Sequence, residues 1–188
     1  MPAFPSQTVG PFFHFALTTD AALGCLAREG ARGERVHLVV RVFDGDGQPV
    51  PDAMIELWQA DAGGKYEDPE DGQEIVPDPA FCGFGRLATD DCGVCRFETV
   101  RPGRVPGVSG ALQAPHVNVN VFARGVLWHL FTRIYFAGDP ANDEDAILAL
   151  VPADRRETLL AGPDASVPGV WNFDVRLSGE RETVFFDV

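Results

Sequence analysis

The stretch APHVNVNVF, residues 114–122, alternates without a fault. Side chains at every second position of a strand point to the same face. His116, Asn118 and Asn120 therefore share one face, and Val117, Val119 and Val121 share the other. The pattern predicts a strand with an apolar side turned to a core and a polar side free for chemistry. A histidine opening that polar side raises the question of a metal. A second imidazole two residues on would complete a ligand pair, but Asn118 stands there.

The same period recurs along the chain. RVHLVVRVF (35–43) places Val36, Leu38, Val40 and Val42 on one face, and the turn-rich DGDGQPVPDA (44–53) ends it. Further strands are expected at 54–60, 83–89, 93–100, 128–136, 170–177 and 182–188, with a short turn near Gly125 joining 116–124 to 128–136. One helical candidate spans 142–161, capped by Asn142 or Asp143 and split by Pro152. The expectation is an all-β fold: a β-sandwich of mixed short strands with long loops such as 66–80 and one short helical segment. Residues 1–34 lack periodicity and read as an N-terminal arm, leaving 35–188 as the single sandwich domain. The arm's VGPFF (9–13) is apolar enough to demand cover.

With 188 residues, 45% of them apolar, the chain suits one domain with a real core. A net charge of −13 argues against nucleic acid or an anionic membrane as partner, and a bound anion would need local arginines to overcome that field. No apolar run reaches the roughly 18 residues of a membrane helix. The start MPAFPSQTVG has neither a basic region nor an apolar stretch, so no secretory signal is read and a cytoplasmic location is expected. Cys25, Cys82, Cys92 and Cys95 are then free thiols; the C-x-x-C at 92–95 reads as a turn entering a strand rather than a zinc or redox motif. His37 and His129 fall in strand patterns and read as ordinary strand histidines; His14 sits in the arm.

Several stretches together resemble the intradiol ring-cleaving dioxygenases. DGQPVPDAMIELWQADAGGKY (46–66) is similar to the segment that ends in that family's first iron-ligand tyrosine. GFGRLATDDCGVCRFETVRPGRVPG (83–107) is similar to the next, where catalytic chains carry a second ligand tyrosine in P-G-x-Y-P. PHVNVNV (115–121) stands in the place of their H-x-H, and TRIYFAGDP (132–140) matches the strand that follows. In that family two tyrosines and two histidines hold a ferric ion; phenolate is a hard donor suited to Fe³⁺ and imidazole completes the sphere. The resemblance carries Tyr66 and His116 onto ligand positions, but puts Val105 and Asn118 where the other two belong. Two of four donors remain, which implies a relic site and no catalytic metal in this chain.

That loss resembles the iron-free alpha-type chain of the heteromeric, protocatechuate-cleaving members, in which a beta chain carries the Fe³⁺. PSQTVGPFF (5–13) is similar to the start of such chains. The resemblance implies a beta-chain partner, a higher hetero-oligomer of αβ units, and protocatechuate and O₂ as substrates of the complex. It further implies that Thr8, Gly10 and Pro11, and an arginine mapped to Arg133, line the partner's substrate pocket. A guanidinium suits a substrate carboxylate, while the reading without the resemblance gives Arg133 a surface salt bridge. Arg101 and Arg104 flank a Pro-Gly pair and are singled out by nothing. Two rivals remain: a transthyretin-like sandwich that only binds small molecules, and a stand-alone enzyme with another metal at Tyr66 and His116, aided by Glu67 or Asp68.

Overall fold

The computed structural model describes residues 8–107 and 110–187. A seven-residue helix α1 (Pro11–Leu17) precedes eight strands: β1 (Arg35–Phe43), β2 (Met54–Trp58), β3 (Phe84–Ala88), β4 (Val94–Val100), β5 (His116–Phe122), β6 (Leu130–Phe136), β7 (Leu160–Pro163) and β8 (Val170–Arg176). A five-residue helix α2 (Ala146–Leu150) lies between β6 and β7. The strands run in the order β3-β2-β5-β6-β7-β8-β1-β4. Pairs β6–β7 and β8–β1 are parallel, and the other five are antiparallel. The sheet is mixed, as expected, and doubles over so that its two halves enclose one core.

That core follows the sequence alternation. Val36, Leu38, Val40 and Val42 of β1 are fully buried, and so are Val117, Val119 and Val121 of β5. All of these but Val36 meet Ile55 and Leu57 of β2, Phe97 of β4, Ile134 and Phe136 of β6, and Phe173 and Val175 of β8 in one cluster. Removing such surface from water is the main drive for this fold. A smaller cluster on the outer side of β6 joins Tyr135 to Leu148, Val151 and Leu159.

Two expectations need correction. The segment 142–161 is divided at Pro152 as expected, but its halves are not two helices. It resolves into a 3₁₀ turn (Pro140–Glu144), α2, a second 3₁₀ turn (Arg156–Leu159) and the short strand β7. Asp145 rather than Asn142 or Asp143 caps α2, its carboxylate accepting the N–H groups of Ile147 and Leu148 at 3.0 and 2.8 Å. Pro152 brings no N–H to continue the helix, and Leu160–Pro163 is recruited to bridge β6 and β8. Residues 182–187 form no strand; the isolated bridge Phe131 to Phe186 and the Thr132 hydroxyl, which donates to the Val184 carbonyl at 2.7 Å, hold them on β6. The arm, read as showing little periodicity, contains two short regular pieces. Within 8–34 it forms α1, which has Pro11 at its first turn, where a missing N–H costs nothing, and a 3₁₀ turn at Ala21–Gly24.

Leu57→Ala empties space in the core shared by both halves and should cost about 2–5 kcal/mol in chemical denaturation. Leu150→Ala, at a side chain 79% exposed, should stay within about 0.5 kcal/mol of the parent.

Candidate functional site

The polar face of β5 is flanked on both sides by partner strands. Asn118 lies opposite Trp58 of β2 and opposite Arg133 of β6, and His116 lies opposite Tyr135. Tyr66 arrives from the loop after β2. That loop is drawn in by the buried Asp61, whose carboxylate accepts N–H bonds from Gly63, Lys65 and Asp78 at 2.8, 3.0 and 3.0 Å. Gly64 adopts φ 82° with its α-carbon against the Arg104 carbonyl, where no side chain fits. The 61–66 and 103–105 segments thus pass backbone against backbone, which sets Tyr66 beside Val105.

The four positions flagged by the resemblance come together in this way. The Tyr66 ring stacks on Trp58, with centroids 5.9 Å apart and planes 14° from parallel. The Asn118 amide donates to the Tyr66 hydroxyl at 3.2 Å. Val105, Pro106, Trp58 and Tyr66 wall a cavity of about 450 Å³, rimmed by Asp68, Glu70 and Asp71. His116 is buried, and its Nδ1–H donates to the Ala114 carbonyl at 2.8 Å, leaving Nε2 with the free lone pair. Burial pushes its pKa down, aided by the nearby Arg133 charge, to about 4. Burial raises the Tyr66 phenol, against the Asn118 bond and Arg133, which both favour the phenolate. Tyr135 is pushed by burial up to about 12.

The donor set does not fit a ferric ion. Val105 is buried and has no donor atom. The Asn118 amide is a weak neutral ligand, already bonded to the one phenol. A single tyrosine and a single histidine do not make a site for a hard trivalent ion. Glu67 and Asp68, the carboxylates of the stand-alone reading, are exposed. Among the described residues no three His, Cys, Asp or Glu side chains gather as a metal site.

The arm residues assemble elsewhere, at the β5–β6 turn. The Thr8 hydroxyl accepts the Gly125 N–H at 2.8 Å. Gly10, Val9 and Phe13 line a recess of about 330 Å³ with His14, Asp52 and Arg124. Phe13 packs on Phe122 at 5.5 Å, and Phe122 stacks on the exposed His129. His14 pairs with Asp52 at 2.6 Å. The side chain of Pro11 lies outside the described part of the structure. Arg133 is not part of this surface; its Nη1 donates to the Gln113 side-chain oxygen at 2.7 Å, within the cradle. The arginine that does join Thr8 and Gly10 is Arg124, which nothing in the sequence reading singled out. Its only signal there was its place one residue before the turn at Gly125. Arg101 forms an internal ion pair with Asp139 at 2.8 Å and stacks over Phe136, so it is structural.

Comparison with known proteins adds the following. A family model described as Dioxygenase matches residues 9–179. The chain is 46% identical to a protocatechuate 3,4-dioxygenase alpha chain of Burkholderia cepacia, over 98% of this chain and 96% of that one. It is 42% identical to an alpha chain of the same name from Pseudomonas putida, over 100% and 97%. Identity to a protocatechuate 3,4-dioxygenase beta chain of Burkholderia cepacia is 31%, over 97% and 78%. Among solved structures, the dioxygenase domain of a carbohydrate-binding fusion protein from Streptomyces superposes with a TM-score of 0.64 at 27% identity, covering 93% of this chain and 97% of that one.

The displaced His116 pKa sets a pH dependence. In the unfolded chain the imidazole takes up a proton near 6.5, and in the fold only near 4. Between those values the unfolded state binds more protons, so stability is full above the upper value and falls with pH toward the lower one. The loss should approach about 3 kcal/mol in denaturant titrations. His116→Gln should flatten this slope. Asp71, driven down to about 2 by hydrogen bonds from Gln73, Tyr66 and Lys65 that outweigh its burial, titrates below the window.

Proposed function

Because the chain belongs to the intradiol ring-cleaving dioxygenase family, we propose that it is the alpha subunit of a protocatechuate 3,4-dioxygenase. It is an oxidoreductase subunit of a heteromeric enzyme and does not cleave the ring on its own. Its partner is a beta chain, which supplies the Fe³⁺. The αβ units assemble into a closed hetero-oligomer and act in the cytoplasm. The complex takes protocatechuate and O₂ and opens the ring between the two hydroxyl-bearing carbons, giving 3-carboxy-cis,cis-muconate. One observation carries this reading: the chain matches alpha chains over nearly its whole length while its own cradle has Val105 and Asn118 in place of two donors. In support of the location, no helix among the described residues is long and apolar enough to cross a membrane, and all four cysteines are free.

The chain's share of the chemistry is to complete the partner's substrate pocket with Thr8, Gly10 and Pro11. Glycine allows the backbone to come close to a substrate, and the Thr8 bond to Gly125 fixes the arm. An arginine belongs with them, because protocatechuate bears a carboxylate. Of the two candidates, geometry favours Arg124, which is exposed beside Gly10, over Arg133, which is held by Gln113. Leu127 and Trp128, 53% and 77% exposed on the same turn, supply the apolar surface that a stable subunit contact requires.

In the αβ complex, Arg124→Ala should leave iron content unchanged. It should lower kcat/KM for protocatechuate by about tenfold to a hundredfold, the loss of one charge-assisted contact. Plain catechol, which lacks the carboxylate, should respond far less. Arg133→Ala serves as the rival; if it shows the selective loss and Arg124→Ala does not, the assignment moves to Arg133. Equal loss on both substrates in both variants would mean only interface damage and would refute a carboxylate contact.

A further inference from the structure

Arg133 is set apart from the other arginines on this face. Arg86 grips Glu56 through two bonds of 2.8 and 2.6 Å, Arg101 grips Asp139, and Arg104 reaches Glu144. Arg133 has no carboxylate within ion-pairing distance among the described residues. Its bond goes instead to the neutral amide oxygen of Gln113. Gln113 is itself braced, its backbone N–H on the Val105 carbonyl at 2.8 Å and its side-chain amide on the Pro106 carbonyl at 3.3 Å. Asp145, which packs beside Tyr135, already accepts N–H bonds from Ala114, Ile147 and Leu148 and lies 3.2 Å from the Tyr135 hydroxyl. The guanidinium is therefore positioned without being neutralised. Across the β5–β6 register it faces Asn118, and its charge acts on the Tyr66 oxygen, the His116 ring and the Tyr135 hydroxyl together.

These are the atoms that would surround a metal in this fold. We propose that Arg133 is the resident cation of the cradle: its guanidinium supplies positive charge among Tyr66, His116 and Asn118, and so excludes metal ions from the site. A cation already fixed there repels a second, and a ferric ion brings three charges into the same low-dielectric space. The exclusion acts beyond the two missing donors, so restoring those donors alone does not restore metal. This concerns the chain's own cradle and stands apart from which arginine serves the partner's pocket.

Three variants of the full chain, purified with the beta chain and compared with the parent complex, test it by iron analysis and the visible tyrosinate band. Val105→Tyr/Asn118→His restores four donors with Arg133 in place, and should gain no iron over the parent. Adding Arg133→Gln should raise iron by about one ion per alpha chain, matching one ligand set. Adding Arg133→Lys instead keeps the charge and should leave the gain absent. Stoichiometric extra iron with Arg133 or the lysine present overturns the proposal, as does failure of the folded Arg133→Gln triple variant to gain any. Should that variant not fold, a milder pair decides. Asn118→His and Asn118→His/Arg133→Gln are titrated with Co²⁺, whose visible absorption reports coordination. Binding confined to the second supports the proposal; equal binding in both, or none in either, refutes it.

Discussion

The strict two-residue period of β5 is the constraint on which the structure turns. β5 is the central strand of its half of the sheet, paired with β2 on one edge and β6 on the other. Its valines are fully buried in the core that joins the two halves. Its other face carries His116 and Asn118 into the cradle. A slip of one residue in either pairing would move the valines out of the core and the cradle groups into it. Core and site are thus fixed by one decision, and neither can drift without the other. The β5–β6 turn at Gly125 extends the same register to the arm, since the Thr8 hydroxyl is bonded to that glycine's N–H.

Most of this was legible because alternation reports directly on a half-buried sheet. β1 and β5 were read with their faces assigned correctly. The segment 142–161 misled because its apolar residues fit a helical period, while Leu148, Val151 and Leu159 pack with Tyr135 and Leu160–Ala161 pair with β6 as a strand. Residues 182–187 alternate like a strand but form only the one bridge, Phe131 to Phe186, on the edge of β6 that β7 leaves uncovered. No local pattern separates these cases; the outcome depends on which sheet edge is still open.

The site divides along the same line. Tyr66, Val105, His116 and Asn118 could be flagged from motif positions, and the structure gathers them. What held them was not legible: the Asp61 carboxylate that folds the loop inward, and the Gly64 backbone pressed on Arg104. Arg124 was missed for a related reason. An exposed arginine at the end of a strand has no meaning in isolation. It acquires one from Gly10 and Thr8, more than a hundred positions earlier in the chain, and only after the arm has folded back.

A cradle without its full donor set still has to satisfy its polar atoms, since a buried group without a partner costs about 1–3 kcal/mol. Here three of them are met within the protein. The Tyr66 oxygen takes the Asn118 amide, the His116 Nδ1–H takes the Ala114 carbonyl, and the Tyr135 hydroxyl meets Asp145. Val105 fills space beside Tyr66 where a polar side chain would need a further partner. Exchanging a donor for valine and another for asparagine therefore replaces coordination by packing and hydrogen bonding. The strands and the loop around the cradle are held by the chain's own pairing and hydrogen bonds. A chain built as proposed can thus do without the chemistry of its own centre and keep the shape needed to complete another.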